Sequence, residues 1–289
     1  MLKIDEIRIR DPYILVDDKE NVYYLYGTTD ENVWEGKACG FNAYKSTNLI
    51  DFEGPFQVFS NIPDFWSDEN YWAPEVYELD DSYYMVASFK SKDKCRATQI
   101  LKSTHPLGMF IPISDNPITP ATWECLDGTL YFDEYKTPWL VFSREWQQIG
   151  IGKIYATQLS HDLKKAISEP IVLFSAIDAK WTVADTGPVQ SDGNAYVTDG
   201  PFLYETKAGE LIMFWSSYGK YGYAIGIARS SDGTIDGKWI HDEEPFFEKD
   251  GGHGMLFRKF DNQLVLAIHT PNSAPDERLK LISVNEDEI

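Results

Sequence analysis

Three aspartates, Asp11, Asp127 and Asp199, stand at the heads of short apolar runs: Asp11-Pro12-Tyr13-Ile14, Asp127-Gly128-Thr129-Leu130 and Asp199-Gly200-Pro201-Phe202-Leu203. Two further runs of this kind open at Ala73-Pro74-Glu75-Val76 and His253-Gly254-Met255-Leu256. If the five heads converge in the folded chain, three carboxylates share one pocket and repel one another, and at least one pKa is pushed up. Folding gains nothing from burying like charges together, so such a cluster is expected to act on something. Two carboxylates with separated pKa values are what acid/base hydrolysis of a glycosidic bond requires.

Acids so far apart in sequence need a scaffold that repeats. The heads at 11, 73, 127, 199 and 253 are 62, 54, 72 and 54 residues apart. After each comes a turn rich in Asp, Gly, Lys or Asn, and then a second, strongly apolar run: Val22–Tyr26, Tyr83–Ala87, Pro138–Phe142, Leu211–Trp215 and Leu264–Ile268. Third runs lie at 42–46, 99–103, 154–157 and 225–229, each followed by a small polar turn. No long amphipathic helical pattern is present. Five irregular copies at this period predict an all-β fold, a five-bladed β-propeller of four-stranded antiparallel blades forming one domain over residues 1–289. A single blade cannot bury its own faces, so the copies must close on one another. Residues 3–9 are expected to close the ring as the outer strand of the last blade, beside Leu279–Val284. The long connections, about 28–40, 60–72, 88–97, 143–152, 175–197 and 216–223, are expected to carry binding.

The chain has 289 residues, 46 of them acidic and 26 basic, for a net charge of −20. That balance argues against nucleic acid or an anionic membrane as partner. Cys39, Cys95 and Cys125 have no metal-ligand spacing and read as reduced thiols. No signal peptide or membrane-length apolar run is visible, which points to a cytoplasmic protein. Trp34, Trp66, Trp72, Trp123, Trp146 and Trp181 lie in or beside the loops, and about half are expected to stack on a sugar, Trp72 first among them. Glu75 shares the strand face of Ala73, further along. Arg144, Arg278 and His269 are further candidates for binding hydroxyls.

Arg10-Asp11-Pro12-Tyr13-Ile14, Tyr71-Trp72-Ala73-Pro74-Glu75-Val76, Leu126-Asp127-Gly128-Thr129-Leu130, Asp199-Gly200-Pro201-Phe202-Leu203 and Gly251-Gly252-His253-Gly254 together resemble glycoside hydrolase family 43, from about residue 8 to 275. The resemblance implies a five-bladed propeller and an inverting mechanism with three acids. Asp11 matches the general base and Asp127 the aspartate that raises the acid's pKa and orients substrate. Asp199 falls where the family has the glutamate general acid of an E-G-P motif, one methylene longer. Glu145, in Ser143-Arg144-Glu145-Trp146, is the alternative acid. Trp72, Ala73, Glu75, Trp146, His253 and Arg278 are the substrate-binding candidates. No cofactor is required, and the resemblance implies a calcium or sodium ion in the central channel near His253, held largely through water.

The expected activity is removal of terminal α-L-arabinofuranosyl, β-D-xylosyl or galactofuranosyl residues from oligosaccharides. A non-catalytic sugar-binding propeller is the alternative from another class. A glycoside phosphorylase would need converging Arg, Lys or His, and no basic cluster is evident near the inner strands.

Overall fold

Every hairpin that joins a head run to its second run needs a left-handed residue at the turn. The sequence supplies Asn21, Asp80 and Asp81, Lys136, Gly209 and Asn262, all at positive φ. Most of these are types that tolerate that conformation. In the computed structural model, which describes residues 1–185 and 195–289, the resulting strands form five antiparallel sheets. Blade one runs outward through Arg10–Asp17, Val22–Thr28, Gly40–Ser46 and Asp51–Ser60. Blade two comprises Glu69–Leu79, Ser82–Ser91, Lys94–Ser103 and Ile111–Pro112; blade three, Cys125–Phe132, Pro138–Arg144, Lys153–Gln158 and Ile171–Ser175. Blade four comprises Asp199–Glu205, Leu211–Gly219, Gly222–Ser230 and Trp239–His241. Blade five has three strands, Gly252–Arg258, Leu264–Thr270 and Arg278–Ser283. The five head runs are the inner strands, and the expected second and third strands fall where their apolar runs lie.

The core is a chain of seams between blades. One buried cluster joins blades five, one and two, with Tyr26, Phe41, Phe59, Tyr71 and Phe89 fully buried. Others fill the seams between blades two and three, three and four, and four and five. Each large side chain removed from water contributes roughly 1.5–3 kcal/mol.

Ring closure differs from expectation. Leu2–Lys3 pairs with Asp51–Phe52 of blade one, and Ile4–Glu6 is a 3₁₀ turn. Only Arg8 bridges to Arg278 of blade five, with the Ile9 N–H donating to the Glu277 carbonyl at 3.3 Å. The N-terminus therefore wedges between the first and last blades instead of completing the last one. Two expected loops are tight hairpins instead: Ser91 pairs with Lys94, and Gly219 with Gly222. There the strands run on through their polar residues. Of the 175–197 connection, residues 186–194 lie outside the described residues.

Candidate active site

Each inner strand breaks register with its neighbour near its start: between Arg10 and Tyr13, Trp72 and Glu75, Leu126 and Thr129, Asp199 and Phe202, and Gly252 and Met255, with a further break between Glu69 and Trp72 in blade two. The first residue inside each break is left-handed, with φ of 50° at Asp11, 48° at Ala73, 55° at Asp127, 49° at Gly200 and 47° at His253. For a non-glycine residue this costs roughly 1–2 kcal/mol, and such bulges typically re-aim a side chain. The five heads are thus equivalent, with one correction. Blade four places Gly200 at the bulge, and Asp199 takes the place held by Arg10, Trp72, Leu126 and Gly252 in the other blades. Glycine is required there, because a Cβ on Gly200 would lie 2.7 Å from the His253 ring.

A second repeat secures the bulges. Opposite the residue before each bulge, the second strand carries Thr28, Ser88, Ser143, Ser216 or His269. Thr28 accepts the Ala73 N–H (2.8 Å), Ser88 the Asp127 N–H (2.9 Å) and Ser216 the His253 N–H (2.8 Å). His269 Nδ1 accepts the Asp11 N–H at 3.2 Å. Ser143 bonds to Thr198 instead, and the Gly200 N–H turns to the Asp127 carboxylate at 2.9 Å.

Asp11, Asp127, Asp199 and His253 line one cavity of about 640 Å³ with Trp34, Trp72 and Trp146. A cavity of about 740 Å³ between the outer edges of blades three and four touches none of the acids. His253 Nδ1 is 3.1 Å from Asp11 Oδ1 and 3.5 Å from Asp127 Oδ2. The Thr28 hydroxyl donates to Asp11 Oδ2 at 2.6 Å, and the Tyr223 hydroxyl to Asp199 Oδ2 at 3.1 Å.

The environments separate the acids. Burial drives Asp199 up to about 8, reinforced by the Asp127 charge and opposed by His253 and the Tyr223 hydroxyl. Asp127 rises to about 8 through burial and the facing Asp11. Burial also opposes ionisation of Asp11, but His253, then Arg10 and the Thr28 hydroxyl outweigh it, and Asp11 falls below the usual carboxylate range. One carboxylate is held ionised while its neighbours are held protonated near neutral pH, the division of labour that acid/base chemistry uses.

Glu145 also lines the cavity, but its Oε2 is bound to Arg96 at 2.5 Å, and both side chains are buried. Arg96 in turn stacks 3.9 Å over the Trp72 ring and donates to Asn70. Trp34, edge-on to Trp72 at 5.3 Å, lies beneath Arg10. Three of the six candidate tryptophans therefore line the cavity. Trp66 donates to Gln99, Trp123 packs between Arg144 and Tyr155, and Trp181 packs on Trp215.

Other candidates are placed elsewhere. Ala73 is buried beside Thr28 rather than lining the cavity. Glu75 is buried in a hydrogen-bonded group with Tyr77 and Thr129; burial pushes it up to about 7. Arg278 binds the Asp5 and Pro275 carbonyls at the N-terminal wedge, since its strand is third from the axis. His269 is fully buried behind Asp11. Arg144 stacks on Trp123 and donates to Gln148.

Sequence reasoning missed Arg10, Arg96, Lys90, Tyr223 and Asn272, all on the cavity. The expected absence of basic groups is corrected here. Arg96 and Lys90 are nonetheless paired to Glu145 and Glu124, and Arg10 to Asn272. Arg10 alone carried a signal, standing immediately before a head residue as Trp72 does.

Among the described residues no group of three or more His, Cys, Asp or Glu is arranged to hold a metal ion. His253 Nδ1 faces two carboxylates at hydrogen-bonding range, so this set does not fit a directly held cation.

Comparison with known proteins agrees with this geometry. A family model described as glycosyl hydrolases family 43 matches residues 4–283. The chain is similar to an endo-arabinase from Bacteroides thetaiotaomicron VPI-5482, with 38% identity and a TM-score of 0.89 over 99% of this chain and 97% of that one. A thermostable family-43 glycoside hydrolase is 26% identical, with a TM-score of 0.80 over 97% and 91%. A GH43 β-xylosidase/α-arabinofuranosidase from a compost microbial metagenome, in a calcium-free form with xylotriose, shares the fold at 15% identity and a TM-score of 0.71 over 99% and 94%. No curated protein matches the sequence. The chain belongs to glycosyl hydrolase family 43 and is a glycosidase.

Proposed function

We propose that this glycosidase cleaves α-L-arabinofuranosyl linkages with inversion, with β-D-xylosyl and galactofuranosyl ends as the related substrates to compare. The observation that carries the reading is the split among three carboxylates on one cavity, Asp11 held ionised and Asp199 held protonated. Asp11 takes a proton from water as the water oxygen bonds to the anomeric carbon. Asp199 gives its proton to the glycosidic oxygen as the old carbon–oxygen bond breaks. Asp127 receives the Gly200 N–H, holding the blade-four bulge beside it, and the two neighbouring carboxyls resist ionising together. Glu145 is the weaker candidate for the acid, because its carboxylate is already engaged by Arg96.

Proton NMR of the first sugar released tests the mechanism. The inverted anomer is expected, and the retained anomer would remove Asp11 from the role of base.

Removal of single terminal sugars suits a pocket walled by Trp72 and Trp146. Internal cleavage of an arabinan is the second reading. It is favoured by the exposed Trp34 at the rim, a cavity larger than one sugar fills, and similarity to an endo-arabinase. Product profiles separate the two: monosaccharide alone from the outset, or a ladder of oligosaccharides.

A further inference from the structure

Four blades use a hydroxyl at the second-strand position that faces the bulges, and blade five uses His269. The exception serves Asp11. Asn272 Oδ1 accepts from the Arg10 guanidinium at 2.7 Å. A guanidinium only donates, so this atom is the amide oxygen. The same oxygen lies 3.0 Å from His269 Nε2, which must therefore carry the ring hydrogen. In a neutral imidazole that leaves Nδ1 bare, and Nδ1 is the atom that receives the Asp11 N–H at 3.2 Å. A line of hydrogen bonds thus runs from Arg10 through Asn272 and His269 to the backbone of Asp11.

We propose that His269 and Asn272 are positioning residues for Asp11: Asn272, oriented by Arg10, fixes the His269 tautomer, and His269 Nδ1 holds the left-handed turn that aims the Asp11 carboxylate. The proposal rests on Asp11 being the base. The groups facing His269 are the Asp11 carboxylate, with Oδ1 at 3.5 Å from Nδ1, the Arg10 guanidinium, His253, Asn272 and the Tyr223 ring stacked at 5.6 Å. Burial and Arg10 hold the imidazole neutral, pushing its pKa down to about 3, so it acts as an acceptor throughout the working range.

The repeat supplies its own rescue variant. His269→Leu removes the acceptor, whereas His269→Ser installs the hydroxyl that serves this position in blades two and four. With linear α-L-arabino-oligosaccharides, His269→Leu is expected to lower kcat about 10²-fold with KM within a few-fold, because a misplaced reacting group loses rate rather than binding. His269→Ser is expected to recover at least a third of that loss on a logarithmic scale. Asn272→Asp would let a carboxylate take the Nε2 hydrogen and favour the imidazolium. Nδ1 then becomes a donor, and the acidic limb of kcat/KM should move to lower pH as the plateau falls. A His269→Leu kcat within threefold of the parent overturns the proposal. So does a His269→Ser kcat as low as that of the leucine variant, or an Asn272→Asp limb at the parent's pH. Should the leucine variant fail to fold, the aspartate variant still decides. Asp11→Asn in the same assay isolates the premise. If it keeps turnover, the base assignment falls and the proposal with it. If it is inactive while His269→Leu is not, only the proposal falls.

Discussion

Among the described residues the Tyr223 hydroxyl is the one neutral side-chain group bonded to the proposed proton donor, and removing it should shift the enzyme's alkaline limb in a calculable direction. Asp199 is raised to about 8, so kcat/KM should fall above that pH as the donor loses its proton. Tyr223 donates to Asp199 Oδ2 at 3.1 Å and favours the ionised form. Burial raises its own pKa well above the ordinary tyrosine value, so it remains a donor across the whole profile. Tyr223→Phe deletes that bond. A hydrogen bond to a charged group contributes roughly 1.5–3 kcal/mol, and 1.36 kcal/mol corresponds to one pH unit. The alkaline limb should therefore move up by roughly 1–2 pH units, while the acidic limb, set by Asp11, stays where it is. The assay is kcat/KM from pH 3 to 10 on an aryl α-L-arabinofuranoside or the best oligosaccharide substrate. An alkaline limb that stays put or moves down would refute the assignment of Asp199 as donor, because only a group bonded to Tyr223 feels the deletion in this direction. Asp127 titrates with Asp199 as a pair, so the limb is a property of both.

Four other perturbations read other parts of the site. Asp11→Asn should lower turnover by about 10³-fold or more, as expected for loss of a base, while calorimetry finds oligosaccharide binding retained; loss of binding alone would mark a recognition role. Glu145→Ala should cost about 3–5 kcal/mol by stranding the buried Arg96, read as a lower thermal midpoint, and Glu145→Gln should keep the alkaline limb at its parental pH. Gly200→Ala should lose at least roughly 1–2 kcal/mol of stability to left-handed strain and more through the clash with His253, with kcat falling as His253 shifts. Glu75 rises to about 7 in the folded state, so its contribution to stability is full below its unfolded value and is lost as pH climbs through about 7. Glu75→Gln, neutral at every pH, should exceed the parent in melting temperature at pH 9 by an amount on the order of 1–3 kcal/mol in stability, and match it at pH 4.

Fold and site were legible to different degrees for physical reasons. The blades announce themselves because each must repeat an apolar run, a turn that tolerates left-handed residues and a second apolar run, as at Ile14, Asn21 and Leu25. The three aspartates were legible through the same repeat. What the sequence hides is register: nothing in Thr198-Asp199-Gly200-Pro201 reveals that Gly200, not Asp199, occupies the bulge. That placement follows from the closeness of the His253 ring, a contact between residues 53 positions apart. Arg96 was invisible because it lies on a third strand and reaches the cavity only through its length and its partner Glu145, 49 positions away. The ring closure misled because Ile7-Arg8-Ile9 looks like a strand, yet only Arg8 finds a bridging partner.

The left-handed kink near the start of each inner strand gives the ring five interchangeable mounting points, of which Asp11, Asp127 and His253 carry titratable side chains and Gly200 none. Ala73 fills the fifth with a methyl group, on a backbone already bent to φ 48° and already anchored by Thr28. The scaffold thus bends the main chain at all five positions whether or not the side chain there reaches the cavity, and at Ala73 it does not.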